Sequence, residues 1–303
     1  LTYLPMDQRN VRLGWDVTTF SLAHNEMFRM VVDAQNGEVL YRTSLTNDAT
    51  DATFRVYADA TSKVPLESPA PLKPVNAVPG SLQGVEVPRS LITLQSVNAT
   101  ASPNGWINDG GQETLGNNVD AHTDFDASAN SPDLPRPNGG VSRTFDFAVD
   151  LTQAPSAYAN ASVTHLFYMN NWIHDQLYSL GFTESSGNFQ TNNFGRGGNG
   201  NDAVLADAQD GSGTNNANMS TPADGSAPRM QMYVFTGPTP DRDGDFDNVI
   251  VIHEYVHGLS NRLVGGGVGM SALASRGMGE GWSDFYGMAL LTGPDADPNA
   301  VYA

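Results

Sequence analysis

Helical periodicity is confined to the second half of this chain, and that confinement limits the fold more than any other feature. Val163, Leu166, Phe167, Asn170, Ile173, Leu177 and Leu180 recur at spacings of three and four, which predicts an amphipathic helix over 161–182 ending at Gly181. A second helix is expected from about Asn248 to Leu263, with Val249, Ile252, Val256 and Leu259 on its apolar face. Asp245 and Asp247 suit its start and Gly265-Gly266-Gly267 its end. A third pattern runs from about Gly279 to Leu291. Residues 1–48 alternate instead, at Val11–Leu13–Trp15–Val17 and Phe28–Met30–Val32, and Asn36-Gly37 is a tight-turn dipeptide before Val39–Tyr41. Phe54–Tyr57 and Met230–Phe235 read as further strands. Residues 58–160 hold most of the prolines and read as loops and short strands, such as Thr144–Val149, with no helix. No internal repeat is visible.

The charge balance removes several function classes. The chain has 15 Lys+Arg against 33 Asp+Glu, a formal charge of −18. Binding nucleic acid through basic patches is excluded, because phosphate recognition needs clustered cations, and docking on anionic lipid is disfavoured. With no cysteine, disulfides, thiolate catalysis, iron–sulfur clusters and Cys-type zinc sites are excluded together. No apolar run reaches the ~18 residues of a membrane span. The chain starts at Leu1 without a visible signal peptide and stops at Ala303 soon after the third helical pattern, so it reads as a fragment at both ends.

The chemistry is carried by His253-Glu254-Tyr255-Val256-His257. Residues four apart on a helix project from one face, so two imidazoles can share one metal ion. Neutral imidazoles and carboxylates suit Zn²⁺, which in hydrolases takes three protein ligands and leaves one position open. Glu254, one step round the helix from His253, can act as general base without being a ligand. The expected third ligand is Glu280, in Gly277-Met278-Gly279-Glu280-Gly281-Trp282-Ser283-Asp284. Asp284, four residues on, falls on the same helical face and can accept the outer N–H of a ligand histidine. The three glycines at 265–267 supply the turn that folds one helix back on the other.

The segments Val251–Leu263 (VIHEYVHGLSNRL) and Gly277–Phe285 (GMGEGWSDF) resemble the fungalysin family of secreted zinc metalloendopeptidases, which are thermolysin-like. The likeness extends through 181–200, 207–219 and 230–235, is close over 150–291 and loose over 58–150. Residues 1–45, with Val31–Arg42 (VVDAQNGEVLYR), are similar to the end of that family's inhibitory propeptide. The resemblance implies an α+β fold, with a β-rich N-terminal lobe leading to an active-site helix and a C-terminal helical lobe largely missing here. It implies 1–48 as the end of the propeptide, 49–150 as the β- and loop-rich start of the mature enzyme, and 151–303 as the catalytic region.

One Zn²⁺ per chain would be held by His253, His257 and Glu280, with Glu254 as base and Asp284 behind the ligands. Asn216-Ala217-Asn218 resembles the edge strand that pairs with an extended peptide substrate. The expected partners are protein or peptide substrates and the chain's own propeptide, removed by cleavage within Thr46–Asp51, with no nucleic acid and no membrane. The expected location is extracellular. In that family the missing lobe supplies an oxyanion donor, whose loss typically costs about 10²–10³ in rate, so this chain as given is expected to be weakly active or inactive.

The alternative is a non-catalytic secreted module with a structural zinc or calcium site. Asp241-Arg242-Asp243-Gly244-Asp245-Phe246-Asp247-Asn248 has oxygens at alternate positions like a calcium loop. It lacks the downstream bidentate Glu, and acidic residues belong at a helix start in any case. His165 and His174 read as packing or hydrogen-bonding residues. His24 and His122 read as surface residues.

Overall fold

A computed structural model describes residues 1–6, 10–21, 26–44, 52–71, 86–94, 97–108, 111–127, 133, 135–267 and 269–292. The expected segment 46–51, where cleavage was placed, lies outside the described residues, as does His24.

The N-terminal strands β1 (Thr2–Pro5), β2 (Val11–Ser21), β3 (Glu26–Asp33) and β4 (Val39–Ser44) form an antiparallel meander of their own. Gly37 closes the expected tight turn at φ 79°, a region glycine enters without steric cost. The next sheet is small, in the order β6 (Ser90–Leu94), β5 (Ala52–Val56), β8 (Thr144–Phe145). The predicted strand over 144–149 is therefore only two residues long.

The sheet that matters for the site has the order β10 (Ala217–Ser220), β11 (Arg229–Met232), β9 (Val204–Ala208), β7 (Val119–Thr123). β7, β9 and β11 run parallel, and β10 closes one edge antiparallel. A short pair, β12 (Val234–Phe235) with β13 (Arg242–Asp243), follows, so the single strand expected over 230–235 is broken at Tyr233.

Among the described residues three α-helices complete the α+β fold: α1 (Ala159–Ser179), α2 (Asn248–Leu263) and α3 (Leu273–Leu291). α1 packs on β5, β7 and β9, and α2 lies against α1, α3 and β10. The sequence pattern marks α1 as amphipathic, yet it is buried almost all round between Ala161 and Asp175. Its polar side chains enter the core because they bond back one turn. Thr164 donates to Asn160 O at 2.7 Å, Asn170 to Leu166 O at 3.0 Å and Asn171 to Phe167 O at 2.9 Å. The apolar core around α1 includes Phe54, Phe145, Phe167 and Trp106, with Phe54 and Phe145 stacked at 5.2 Å.

His165 and His174 take the expected hydrogen-bonding roles. His165 Nε2 lies 2.8 Å from Asn248 Oδ1, and burial pushes its pKa down to about 4. His174 Nδ1 lies 3.0 Å from Asp175.

His122 corrects the surface assignment. It is only 2% exposed, on β7, with Nδ1 3.1 Å from Asp120 and Nε2 2.9 Å from Asp207. Burial opposes its charged form, but the bonds and charges of Asp120 and Asp207 outweigh that and lift its pKa to about 9. The raised pKa means the stabilisation is complete below the unfolded value of 6.5 and is lost as pH rises through 9. Urea unfolding is expected to show a fall of up to about 3 kcal/mol across that window, at ~1.4 kcal/mol per unit. His122→Gln is expected to lack that pH dependence, and an unaltered slope in the variant refutes the assignment.

Candidate metal centre

The site is built where α2 and α3 run antiparallel. Asp247 caps α2, accepting from Val249 N at 3.1 Å and Ile250 N at 3.2 Å. Val264 and a turn with Gly265 at φ 64° and Gly267 at φ 91° end it. α3 begins at Leu273, six residues before the sequence-based start. Its buried residues are Gly279, Ser283 and Gly287, spaced by four. A Cβ at Gly287 would lie 3.1 Å from Val249, and one at Gly279 would lie 3.5 Å from Met270. The bare Gly287 lets α3 lie close on the start of α2, and the same helix face carries Glu280 and Asp284 to the histidines of α2.

Three ligand atoms then converge. His253 Nε2 and His257 Nε2 are 3.0 Å apart, and Glu280 Oε2 is 3.1 Å from the first and 3.3 Å from the second. Donors on ~2.0–2.1 Å bonds at the tetrahedral angle stand roughly 3.3–3.4 Å apart. Two imidazole nitrogens and a carboxylate oxygen aimed at one point suit a divalent cation, because all three can present lone pairs. His253 Nδ1 lies 2.7 Å from Asp284 Oδ1, which leaves Nε2 as the metal-facing nitrogen. The rings meet nearly edge to face, at 81°.

Glu254 is not part of the converging set of His253, His257 and Glu280. Its side chain lines the same cavity of about 390 Å³ and is 6% exposed. Burial pushes its pKa up to about 7, with His253 opposing and Glu280 adding to the rise. Burial also lowers the pKa of His257.

Asn216 and Ala217 line this cavity too. Among the described residues β10 pairs only with β11, so its other edge offers backbone groups to the cleft. Sequence reasoning missed Gly258. A Cβ there would meet Phe189 at 2.8 Å and Met219 at 3.1 Å, so the bare glycine after His257 lets α2 lie against Phe189 and β10.

The acidic loop before α2 behaves as a cap. Asp243 accepts from Asp245 N at 3.0 Å and from Ser162 and Gln209 at 2.5 Å, and Asp245 accepts from Gln209 N at 3.2 Å. N–H and O–H groups therefore face three of the four oxygens, while Asp245 Oδ1 is buried without a hydrogen-bond partner. Burial, with Asp243 beside it, pushes the Asp245 carboxyl well above its usual range. A second acidic group, Asp124, Asp207 and Asp210, is filled by the Arg229 guanidinium, which reaches all three.

Removal of Asp284 is expected to weaken zinc binding by ~10–100-fold, since its carboxylate meets the outer ring nitrogen of His253. Competition of Asp284→Ala with a fluorescent chelator measures this, and parent-like affinity refutes the role.

The fold and site together bring one group of side chains that could hold a metal ion to an open cleft beside a free sheet edge. A model of the fungalysin metallopeptidase family (M36) matches residues 76–302, and the chain belongs to that family. The chain is 40% identical over 308 residues to extracellular metalloproteinase 5 of Arthroderma benhamiae, covering all of this chain and 45% of the relative. It is 41% identical over 312 residues to extracellular metalloproteinase 10 of Coccidioides posadasii (strain C735), again covering all of this chain and 45% of the relative. The chain thus spans about 45% of the length of the curated relatives it matches. Among the described residues no helix is long and apolar enough to cross a membrane.

Proposed function

We propose that this chain carries the catalytic centre of a secreted zinc endopeptidase, with His253, His257 and Glu280 as the metal ligands and Glu254 as the general base. The observation that carries this reading is the convergence of three ligand atoms within 3.0–3.3 Å beside a carboxylate that is not one of them. Bound Zn²⁺ supplies Lewis acidity, which makes water nucleophilic at neutral pH and polarises a carbonyl. The protein's own residues do the rest. Asp284 fixes the tautomer of His253. Glu254 accepts a proton from the attacking water and passes it to the departing amine. The free edge of β10, from Asn216 and Ala217 onward, holds an extended peptide by strand addition, which reads backbone more than side chain.

The names of the relatives support secretion. Residues 1–48 read as the end of a propeptide acting as an intramolecular inhibitor. Two observations support that: the first 75 residues precede the family match, and β1–β4 form their own sheet.

The test combines metal analysis with a quenched peptide substrate. One zinc per chain, peptide-bond hydrolysis lost on chelation and restored by zinc, and inhibition by a hydroxamate are expected. Zinc retained with a fourth protein ligand, and no effect of the hydroxamate on the metal's spectrum in a cobalt-substituted sample, would instead establish a structural site.

A further inference from the structure

The cleft holds a cation that the chemistry above does not use. Arg276 lines the same cavity as His253, His257 and Glu280. It stands four residues before Glu280 on α3, so the two share one helix face about one turn, ~5.4 Å, apart. That spacing permits an ion pair with Glu280, yet Glu280 points to the imidazoles instead. The Arg276 guanidinium bonds through Nε to Ser271 O at 3.0 Å. Among the described residues it has no carboxylate within 4.0 Å. Several arginines do hold a carboxylate, as Arg262 holds Asp202, Arg136 holds Asp120 and Arg29 holds Asp16, whereas Arg89 and Arg242, which are not exposed as Arg276 is, bond carbonyls.

Helix stability does not account for Arg276 either. It lies at the start of α3, where the helix dipole disfavours a cation, and no acidic residue occupies that first turn to offset it. An exposed guanidinium facing a substrate cleft in a chain of net charge −18 is a local reversal of the surrounding field.

The cavity that holds Arg276 is otherwise largely polar, with Asn216, Asn218, Ser260 and Asn261. A separate cavity of about 710 Å³ at the start of α2 has apolar walls, including Phe235, Val249 and Ile250, and carries Glu67, Glu86 and Asp247. Its one arginine, Arg242, is tied to the carbonyls of Leu151 and Pro240. An extended peptide on β10 advances ~3.3 Å per residue, so side chains one or two residues from the scissile bond come level with Arg276.

We propose that Arg276 is a specificity-determining residue, which selects substrates carrying Asp or Glu one or two residues from the scissile bond on the side facing the C-terminal end of α2. The inference rests on the peptide-hydrolysis reading above. It asks for a screened, solvent-facing charge pair, worth at most about 1 kcal/mol, or ~5-fold.

The experiment compares matched quenched peptides with Glu, Ala or Lys at those positions, using zinc-loaded protein. The Glu:Ala ratio of kcat/KM is expected near ~5 in the parent and near ~1 in Arg276→Gln. Arg276→Glu is expected to turn the preference toward Lys, and Arg276→Lys to keep most of the parent ratio. Raising ionic strength from about 0.05 to 0.5 M is expected to shrink the parent ratio. A parent ratio that Arg276→Gln leaves in place overturns the inference while the hydrolytic reading stands. Cleavage too slow to measure is within the expectation for this chain, and affinity then decides Arg276. Fluorescence anisotropy on zinc-loaded Glu254→Gln protein must show tighter binding of the Glu peptide, lost on adding Arg276→Gln. Equal affinities overturn the inference.

Discussion

Zinc-loaded Glu254→Gln protein is expected to keep one metal ion per chain and to cleave peptide ~10²–10⁴-fold more slowly than the parent, the range for losing a general base. Glutamine preserves the shape and the hydrogen-bonding reach of the side chain but cannot take up a proton. At ~1.4 kcal/mol per factor of ten, the loss corresponds to about 3–5.5 kcal/mol of transition-state stabilisation. Metal content should not change, because the converging group is His253, His257 and Glu280 without Glu254. His257→Ala provides the contrast, since it removes a ligand and should lose zinc and turnover together. Two results would sink the assignment. Loss of zinc from Glu254→Gln would make that carboxylate a ligand, and a rate within tenfold of the parent would place the base elsewhere. Steady-state kinetics and metal analysis on the same samples separate these cases.

That experiment could be designed from the sequence, because the site is written in local periodicity. His253 and His257 share a face by helix geometry alone, and so do Glu280 and Asp284. The structure brings the two pairs together, with His253 Nδ1 2.7 Å from Asp284 and both Nε2 atoms near Glu280. What was illegible depends on tertiary packing. The start of α3 was placed late because Gly277, just before the expected start, is a poor helix former, whereas Gly287 is what lets α3 approach Val249. α1 looked amphipathic because Thr164 and Asn171 fall off the repeating face that includes Asn170, although bonds to carbonyls one turn back satisfy them inside the core. His122 looked exposed because only one of its partners, Asp120, is near in sequence. Asp207 comes from another strand of the sheet, β9. Gly258 sits beside the motif, but only the packed positions of Phe189 and Met219 give it meaning.

Arg262→Ala is expected to destabilise the zinc-free protein by about 3–5 kcal/mol, the range for breaking one side of a buried ion pair. Arg262 closes the last turn of α2, and its side chain is almost wholly buried. It donates to Asp202 Oδ2 and Gly187 O at 2.9 Å, to Pro222 O at 2.9 Å and to Ser226 O at 3.1 Å. One guanidinium therefore pins the 187–202 and 222–226 segments to the end of α2, and it lies 4.9 Å over the Phe189 ring that packs against Gly258. The cost comes mainly from what is left behind. Asp202 is wholly buried, and burial pushes its pKa up against the opposing pull of Arg262 and of the Gln190 and Gly225 amides. Truncating the arginine strands that carboxylate and orphans three carbonyls. Removing both charges should therefore cost less than the sum of the single changes. Arg262→Ala in an Asp202→Asn background is expected to be milder than in the parent by about 0.5–3 kcal/mol, the usual coupling between contacting residues. Urea unfolding of zinc-free samples is the right measurement, since metal binding would otherwise add its own stabilisation to each protein. A single-variant loss below about 1 kcal/mol, or strict additivity in the double variant, would mean that solvent reaches the pair and that α2 is anchored by its apolar face alone.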